Sequence, residues 1–207
     1  MALQGSLFAA GPHVVSGTGS IRPERTPLSG GAWLEVRRSW LPDADGLFER
    51  LYLSVPWRAE RRAMYDRFVD VPRLQSFYDE DDTLPDPALG EAMAALDHDY
   101  REELGEPFAT VGLCCYRDGR DSVAWHGDTI GRGAICDTMV AICSLGHPRA
   151  LHLRPRQGGP ALRFVLHSGD LLVMGGSCQR TWEHAVPKTR RPVGPRVSVQ
   201  FRPRGVR

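Results

Sequence analysis

Lysine is almost missing from this chain. Lys188 stands alone among 26 basic residues, so nearly all positive charge sits on planar guanidinium forks, a bias that genome composition also produces and that assigns no partner by itself. The five cysteines, Cys114, Cys115, Cys136, Cys143 and Cys178, are odd in number and include no Cys-x-x-Cys pair. That argues against a disulfide framework and against a structural zinc site, and leaves reduced thiols, most of them buried. No apolar run approaches the roughly 18 residues a membrane span needs, and no basic segment leads into an apolar one at the N-terminus. A soluble, cytoplasmic protein without membrane contact is expected. No internal repeat is evident.

What is present fits one domain: 207 residues, 42% apolar and 25% charged, enough for a sizeable core. A monomer is expected. Net charge is only +1, yet residues 147–207 hold twelve Arg or Lys against Asp170 and Glu183, whereas 79–106 is acidic. A basic C-terminal third suits a polyanionic partner, because neutralising phosphates releases counterions. Charge alone is equally consistent with a solvated, Arg-rich surface.

Residues 1–31 are rich in Gly, Ser and Pro without periodicity and read as a flexible N-terminal arm. Residues 32–207 read as the single folded domain. Its first strand is expected over 32–36, followed by a helix on Leu47, Phe48, Leu51 and Tyr52 with Asp43 or Asp45 as N-cap. A second helix is expected from Pro87, with Leu89, Met93, Leu96, Tyr100 and Leu104 at helical spacing and Gly105 as terminator. From Phe108 the period shortens. Strands are expected over 110–116, 122–125, 139–144, 150–154, 162–167, 171–174 and 196–202, separated by turns such as Asp118-Gly119 and Ser168-Gly169. Helices first and many short strands after them indicate an α+β fold, a double-stranded β-helix (jelly roll) behind N-terminal helices, with the core near 107–204.

His126-Gly127-Asp128 and His184, 58 positions later, supply two imidazoles and one carboxylate. That set can occupy one face of an Fe(II) ion and leave positions open for a co-substrate and dioxygen. The tripeptide alone is a weak signal. Its weight comes from order: a strand-like run precedes it, further strands separate it from His184, and Arg196 and Arg202 follow. Their spacing of six places both guanidinium groups on one face of a strand, where they can converge on a dianion. The plain readings are a hydrogen-bonded buried His126, a turn Asp128, a surface His184 and arginines decorating an outer face. A zinc hydrolase could use the same three ligands with a metal-bound water.

Taken in order, Cys115-Tyr116-Arg117-Asp118-Gly119, His126-Gly127-Asp128, Ser144-Leu145-Gly146, Gly169-Asp170-Leu171-Leu172-Val173-Met174, Trp182-Glu183-His184 and the stretch 195–202 resemble the AlkB-like Fe(II)/2-oxoglutarate-dependent dioxygenases, which repair alkylated nucleic-acid bases. The resemblance covers about half the chain, and Val71-Pro72-Arg73-Leu74-Gln75 is similar to that family's nucleotide-recognition lid. It implies that His126, Asp128 and His184 are the iron ligands and catalytic centre. It further implies that Tyr116 and Arg196 hold the distal carboxylate of 2-oxoglutarate, with Arg202 near its chelating end. The chain departs from the family at Cys114 and Ser198, where asparagine is frequent; Ser198 keeps its place as a co-substrate contact, with altered hydrogen bonding. Thr129 stands where some relatives carry an acid near the base. Arg73, Phe77, Tyr78 and Trp182 are the candidates for holding a base.

The implied reaction is oxidative demethylation of N-alkylated bases such as 1-methyladenine and 3-methylcytosine, with release of succinate, CO2 and formaldehyde. The implied partner is alkylated DNA, single- or double-stranded, or RNA, and a base buried in a duplex must be flipped out. Three alternatives stay open: a protein or small-molecule substrate, a noncatalytic nucleic-acid-binding relative with a vestigial metal site, and the zinc hydrolase.

Overall fold

Residues such as Leu171-Leu172-Val173-Met174 show no polar alternation because both faces of their strand are covered. In the computed structural model, which describes residues 25–64 and 67–206, Leu171 and Val173 face a core beneath the helices, whereas Leu172 and Met174 face a second core. That arrangement defines the molecule. A large sheet has a helical layer on one side and a smaller sheet on the other.

The chain runs β1 (Arg25–Pro27), β2 (Ala32–Arg37), α1 (Ala44–Ser54), β3 (Arg58–Met64), β4 (Arg67–Tyr78), α2 (Pro87–Leu104), β5 (Phe108–Tyr116) and β6 (Val123–His126). It continues through β7 (Val140–Gly146), β8 (Arg149–Pro155), β9 (Leu162–Leu166), β10 (Leu171–Gly176), α3 (Cys178–Thr181), β11 (Trp182–Val186) and β12 (Arg196–Pro203). The large sheet has the order β1-β2-β10-β7-β12-β5-β4-β3 and the small one β6-β11-β8-β9. Every pairing is antiparallel. This is the α+β jelly roll the sequence leads one to expect.

Helix α2 begins as anticipated. Asp86 accepts a hydrogen bond from the Ala88 amide at 3.0 Å, Pro87 opens the helix, and Gly105 closes it with φ near 78°, a left-handed backbone that glycine adopts without strain. Leu89, Leu96 and Tyr100 are buried against Val111, Leu113 and Phe201 of the sheet. At α1 the expected cap differs: Asp43 occupies the N-cap position in a left-handed conformation and makes no capping bond, its carboxylate pairing with Arg50 at 3.1 Å instead.

Strands in three places depart from the sequence reading. Arg25–Pro27 is a strand paired to β2, and the Ser29 carbonyl accepts from Trp182 Nε1 at 3.1 Å. The expectation of a loose arm is therefore corrected from Arg25 onward; 1–24 lie outside the described residues. The hairpin β3–β4 adds two strands to the large sheet that charged, non-alternating residues concealed. Strand β11, which carries His184, was not anticipated as a strand because five residues ending in Ala185-Val186 are too short to show a period.

Candidate iron and co-substrate site

Strand pairing, not sequence proximity, assembles the site. His184 on β11 lies opposite His126 on β6, and their ring centroids are 4.2 Å apart. Asp128 follows directly after β6. One ligand atom from each of His126, Asp128 and His184 lies within 4.8 Å of the other two. The His126 Nδ1–H faces the Ala124 carbonyl at 2.8 Å, which leaves Nε2 pointing toward Asp128 Oδ1, 3.9 Å away.

The environment keeps these groups in ligand form. Burial alone would push the Asp128 carboxyl up, but Arg202, His184 and His126 hold it down at about 2. Arg202 does so through a hydrogen bond from Nε to Oδ2 of 2.7 Å. Burial, then the neighbouring His126, push the His184 imidazole down to about 3, although Asp128 pulls the other way. His126 is lowered as well, again chiefly by burial. All three therefore present lone pairs at neutral pH.

Two contacts set the turn that carries Asp128. The Asp128 amide donates to Gln179 Oε1 at 2.9 Å, and Gln179 is buried on α3. Gly127 has no Cβ, and one placed there would sit 2.4 Å from the Gln179 carbonyl oxygen. Only glycine allows that approach.

The three candidate ligands open into a cavity of about 470 Å³ whose floor is the β12 face of Arg196, Ser198, Gln200 and Arg202. Alternation puts Val197, Val199 and Phe201 into the helical core and these four into the cavity. Arg196 is buried, donates from Nε to Ser144 Oγ at 2.8 Å and lies 5.3 Å from the Tyr116 ring. Its Nη1 has no hydrogen-bond partner among the described residues. A buried guanidinium with an unpaired donor demands an anion. Tyr116 is buried beside it, and burial followed by the proximity of Cys114 raises its hydroxyl to about 12, so it stays protonated as a donor.

Ser198 and Gln200 form a unit. Gln200 Nε2 donates to Ser198 Oγ at 2.6 Å and to the Ser198 carbonyl at 3.0 Å, while its Oε1 accepts from Cys114 Sγ at 3.7 Å. The sequence assigns Gln200 no role of its own, although the same two-residue alternation that links Arg196 to Arg202 includes it. Gln179 carried no comparable signal, since only the packing of α3 brings it to the site.

Of the base-holding candidates, Arg73 and Phe77 line the cavity from β4. Tyr78 does not: one step along the strand reverses its side chain, which packs against the helical core. Trp182 is also removed from the candidates, because it is buried in the core between the two sheets with its indole N–H on Ser29.

Residues 75–202 match the family described as the 2OG-Fe(II) oxygenase superfamily. The chain belongs to that superfamily. The family name specifies iron(II) and 2-oxoglutarate, and the residues fit both: a His/Asp/His donor set for the metal and, for a carboxylate, a buried guanidinium whose Nη1 has no partner among the described residues. Within the superfamily the chain is 31% identical over 181 residues to "Alpha-ketoglutarate-dependent dioxygenase alkB homolog 3" of Bos taurus, covering 78% of this chain and 62% of the relative. The Homo sapiens protein of the same name is 30% identical over 179 residues, covering 77% and 61%. "DNA oxidative demethylase ALKBH2" of Arabidopsis thaliana is 29% identical over 139 residues, covering 56% and 43%. The AlkB-like resemblance read from the motifs is thus borne out. The chain spans about three fifths of the length of the first two relatives. A solved structure, "The structure of OsALKBH1", superposes with a TM-score of 0.56 at 15% identity over 87% of this chain and all of that one, which shows a shared fold. No described helix of this superfamily member is long and apolar enough to cross a membrane.

Proposed function

We propose that this chain is an Fe(II)- and 2-oxoglutarate-dependent dioxygenase that removes alkyl groups from ring nitrogens of bases in DNA. The observation that carries the reading is the convergence, in one cavity, of the His126/Asp128/His184 donors with the buried Arg196 guanidinium, whose Nη1 has no partner among the described residues. His126, Asp128 and His184 hold the metal. Arg196, helped by the Tyr116 hydroxyl, takes the far carboxylate of the co-substrate, and Ser198 with Gln200 supports it along the β12 face.

Bound iron with 2-oxoglutarate supplies dioxygen activation, in which the co-substrate loses CO2 to give succinate and one oxygen atom enters a substrate C–H bond. The protein positions the reactants. Arg202 pins Asp128 and keeps the carboxylate oriented. Arg73 and Phe77 extend the cavity toward the lid hairpin β3–β4, where a flipped-out base enters. A hydroxylated N-methyl group then releases formaldehyde and leaves the unmodified base.

The curated relatives named as alkB homolog 3 and as DNA oxidative demethylase support the substrate class, as does the basic C-terminal third of the chain. The test supplies the protein with Fe(II), 2-oxoglutarate and a single-stranded oligonucleotide carrying 3-methylcytosine under nitrogen, then admits air. Equal yields of succinate, formaldehyde and demethylated oligonucleotide are expected. Succinate formed without any mass change in DNA or RNA substrates would move the substrate to another class, and oxygen-independent hydrolysis would overturn the oxygenase itself.

A further inference from the structure

We propose that a second groove, on the far side of His126 from the metal, holds the nucleotide next to the target base of a single-stranded nucleic acid, with Trp125 as stacking platform and Lys188 at its phosphate. This deepens the reading above and rests on it. The register of the small sheet creates the groove. His126, His184 and Leu153 share one row facing inward, so Trp125 and His152, one step away, face outward, and Arg163 lies across from His152. Trp125 and His152 approach to 6.3 Å between ring centroids, and the Arg154 guanidinium lies 4.2 Å over the Trp125 ring.

The groove encloses about 650 Å³, and Trp125, His152, Lys188 and the lid residue Arg73 all line it. Arg73 and His126 also wall the metal cavity, so a single layer of side chains separates the two spaces. Neighbouring nucleotides of one strand can occupy both.

The chemistry selects this occupant. The walls are largely apolar and aromatic, and among the described residues the charged groups lining the groove are Arg73 and Lys188, with no carboxylate. Glu183 lies outside the groove and is taken up by Arg154 at 3.1 Å and Arg156 at 3.5 Å. Lys188 and Arg163 are exposed and form no ion pair among the described residues. An aromatic surface edged by free cations matches a base with its phosphate, since stacking tolerates any base and cations follow the backbone.

The test measures binding of a fluorescein-labelled oligothymidylate of about 12 nucleotides to the full chain by anisotropy, across a salt series. Trp125→Ala is expected to raise Kd at least about fivefold, the loss of one stacked base, and Trp125→Phe to keep most of the affinity, which separates stacking from misfolding. Lys188→Gln is expected to lower the salt slope by about one. The groove assignment falls if the wild-type protein ignores the oligonucleotide, if Trp125→Ala binds it unchanged, or if polyglutamate displaces it equally well. Because no turnover is measured, the two readings fail separately: a failed demethylation assay beside a Trp125-dependent Kd counts against the base-demethylating reading alone and leaves the groove as a single-strand binding site.

Discussion

Gly127 shows how single residues decide this site. Its missing Cβ lets the turn carrying Asp128 close against the Gln179 carbonyl, where any side chain would collide at 2.4 Å. Gly127→Ala is expected to weaken Fe(II) binding by about 10- to 100-fold, the range found when outer contacts of a metal ligand are disturbed; unchanged affinity in an anaerobic titration would show that the turn relaxes freely. Arg196 is the candidate anchor for the co-substrate. Its Nη1 is buried without a partner among the described residues, so Arg196→Met, which removes the charge along with the donors, is expected to raise KM for 2-oxoglutarate at least about tenfold, the loss of one charge-assisted hydrogen bond. Steady-state kinetics with succinate as readout checks this, and an unchanged KM would move the carboxylate elsewhere. His126, Asp128, His184 and Arg196 were legible in the sequence because their residue types are chemically constrained. Gln179 was not, because an ordinary glutamine becomes informative only through its contact with the Asp128 amide.

At the scale of elements, α2 is tied to β2 through a buried acid. Glu35 sits beneath Tyr100 and between Arg25 and Arg37, with the Tyr100 hydroxyl bonded to its carboxylate, Arg37 Nε at 2.7 Å and Arg25 Nε at 3.1 Å. Burial alone would push the Glu35 carboxyl up, but Tyr100, Arg37 and Arg25 together bring it below its ordinary 4.5. A depressed folded-state value means that the unfolded chain binds the proton first as acid is added. The stabilisation is therefore complete above the ordinary value and fades as pH falls through the folded one. Denaturant titrations from neutral pH down through this window should show a shallower fall for Glu35→Gln than for wild type, and parallel curves would refute the linkage. Tyr100→Phe is expected to cost about 1–3 kcal/mol at neutral pH, because it strips one donor from a buried carboxylate. A loss of stability too small to resolve in the same titrations would mean that the arginines suffice. Helix α2 itself was readable from its apolar spacing and caps, whereas β11 and the β3–β4 hairpin were hidden: one is too short to show a period, and the other is a charged strand pair whose partner β5 lies far along the chain.

Across the whole molecule, ligand binding should be felt as stability, since the candidate metal ligands come from β6, the turn after it and β11, and the candidate co-substrate contacts come from β12 and β5. Metal with 2-oxoglutarate at about 100 times Kd is expected to add about 2.7 kcal/mol. An upward shift of Tm under nitrogen, reversed by EDTA, is the outcome to look for; a Tm indifferent to both ligands would remove the metal site from the cavity. By itself the sequence determined the class of fold, the three metal-ligand candidates and the arginine pair, because apolar periodicity and metal-binding chemistry are properties of residue type and local spacing. Only the tertiary structure decided that Tyr78 and Trp182 belong to cores, that Gln200 faces the cavity, and that Trp125 and Lys188 border a second groove. Those facts depend on which face of a strand is covered by a distant part of the chain, and strand register fixes that between residues that share no local pattern.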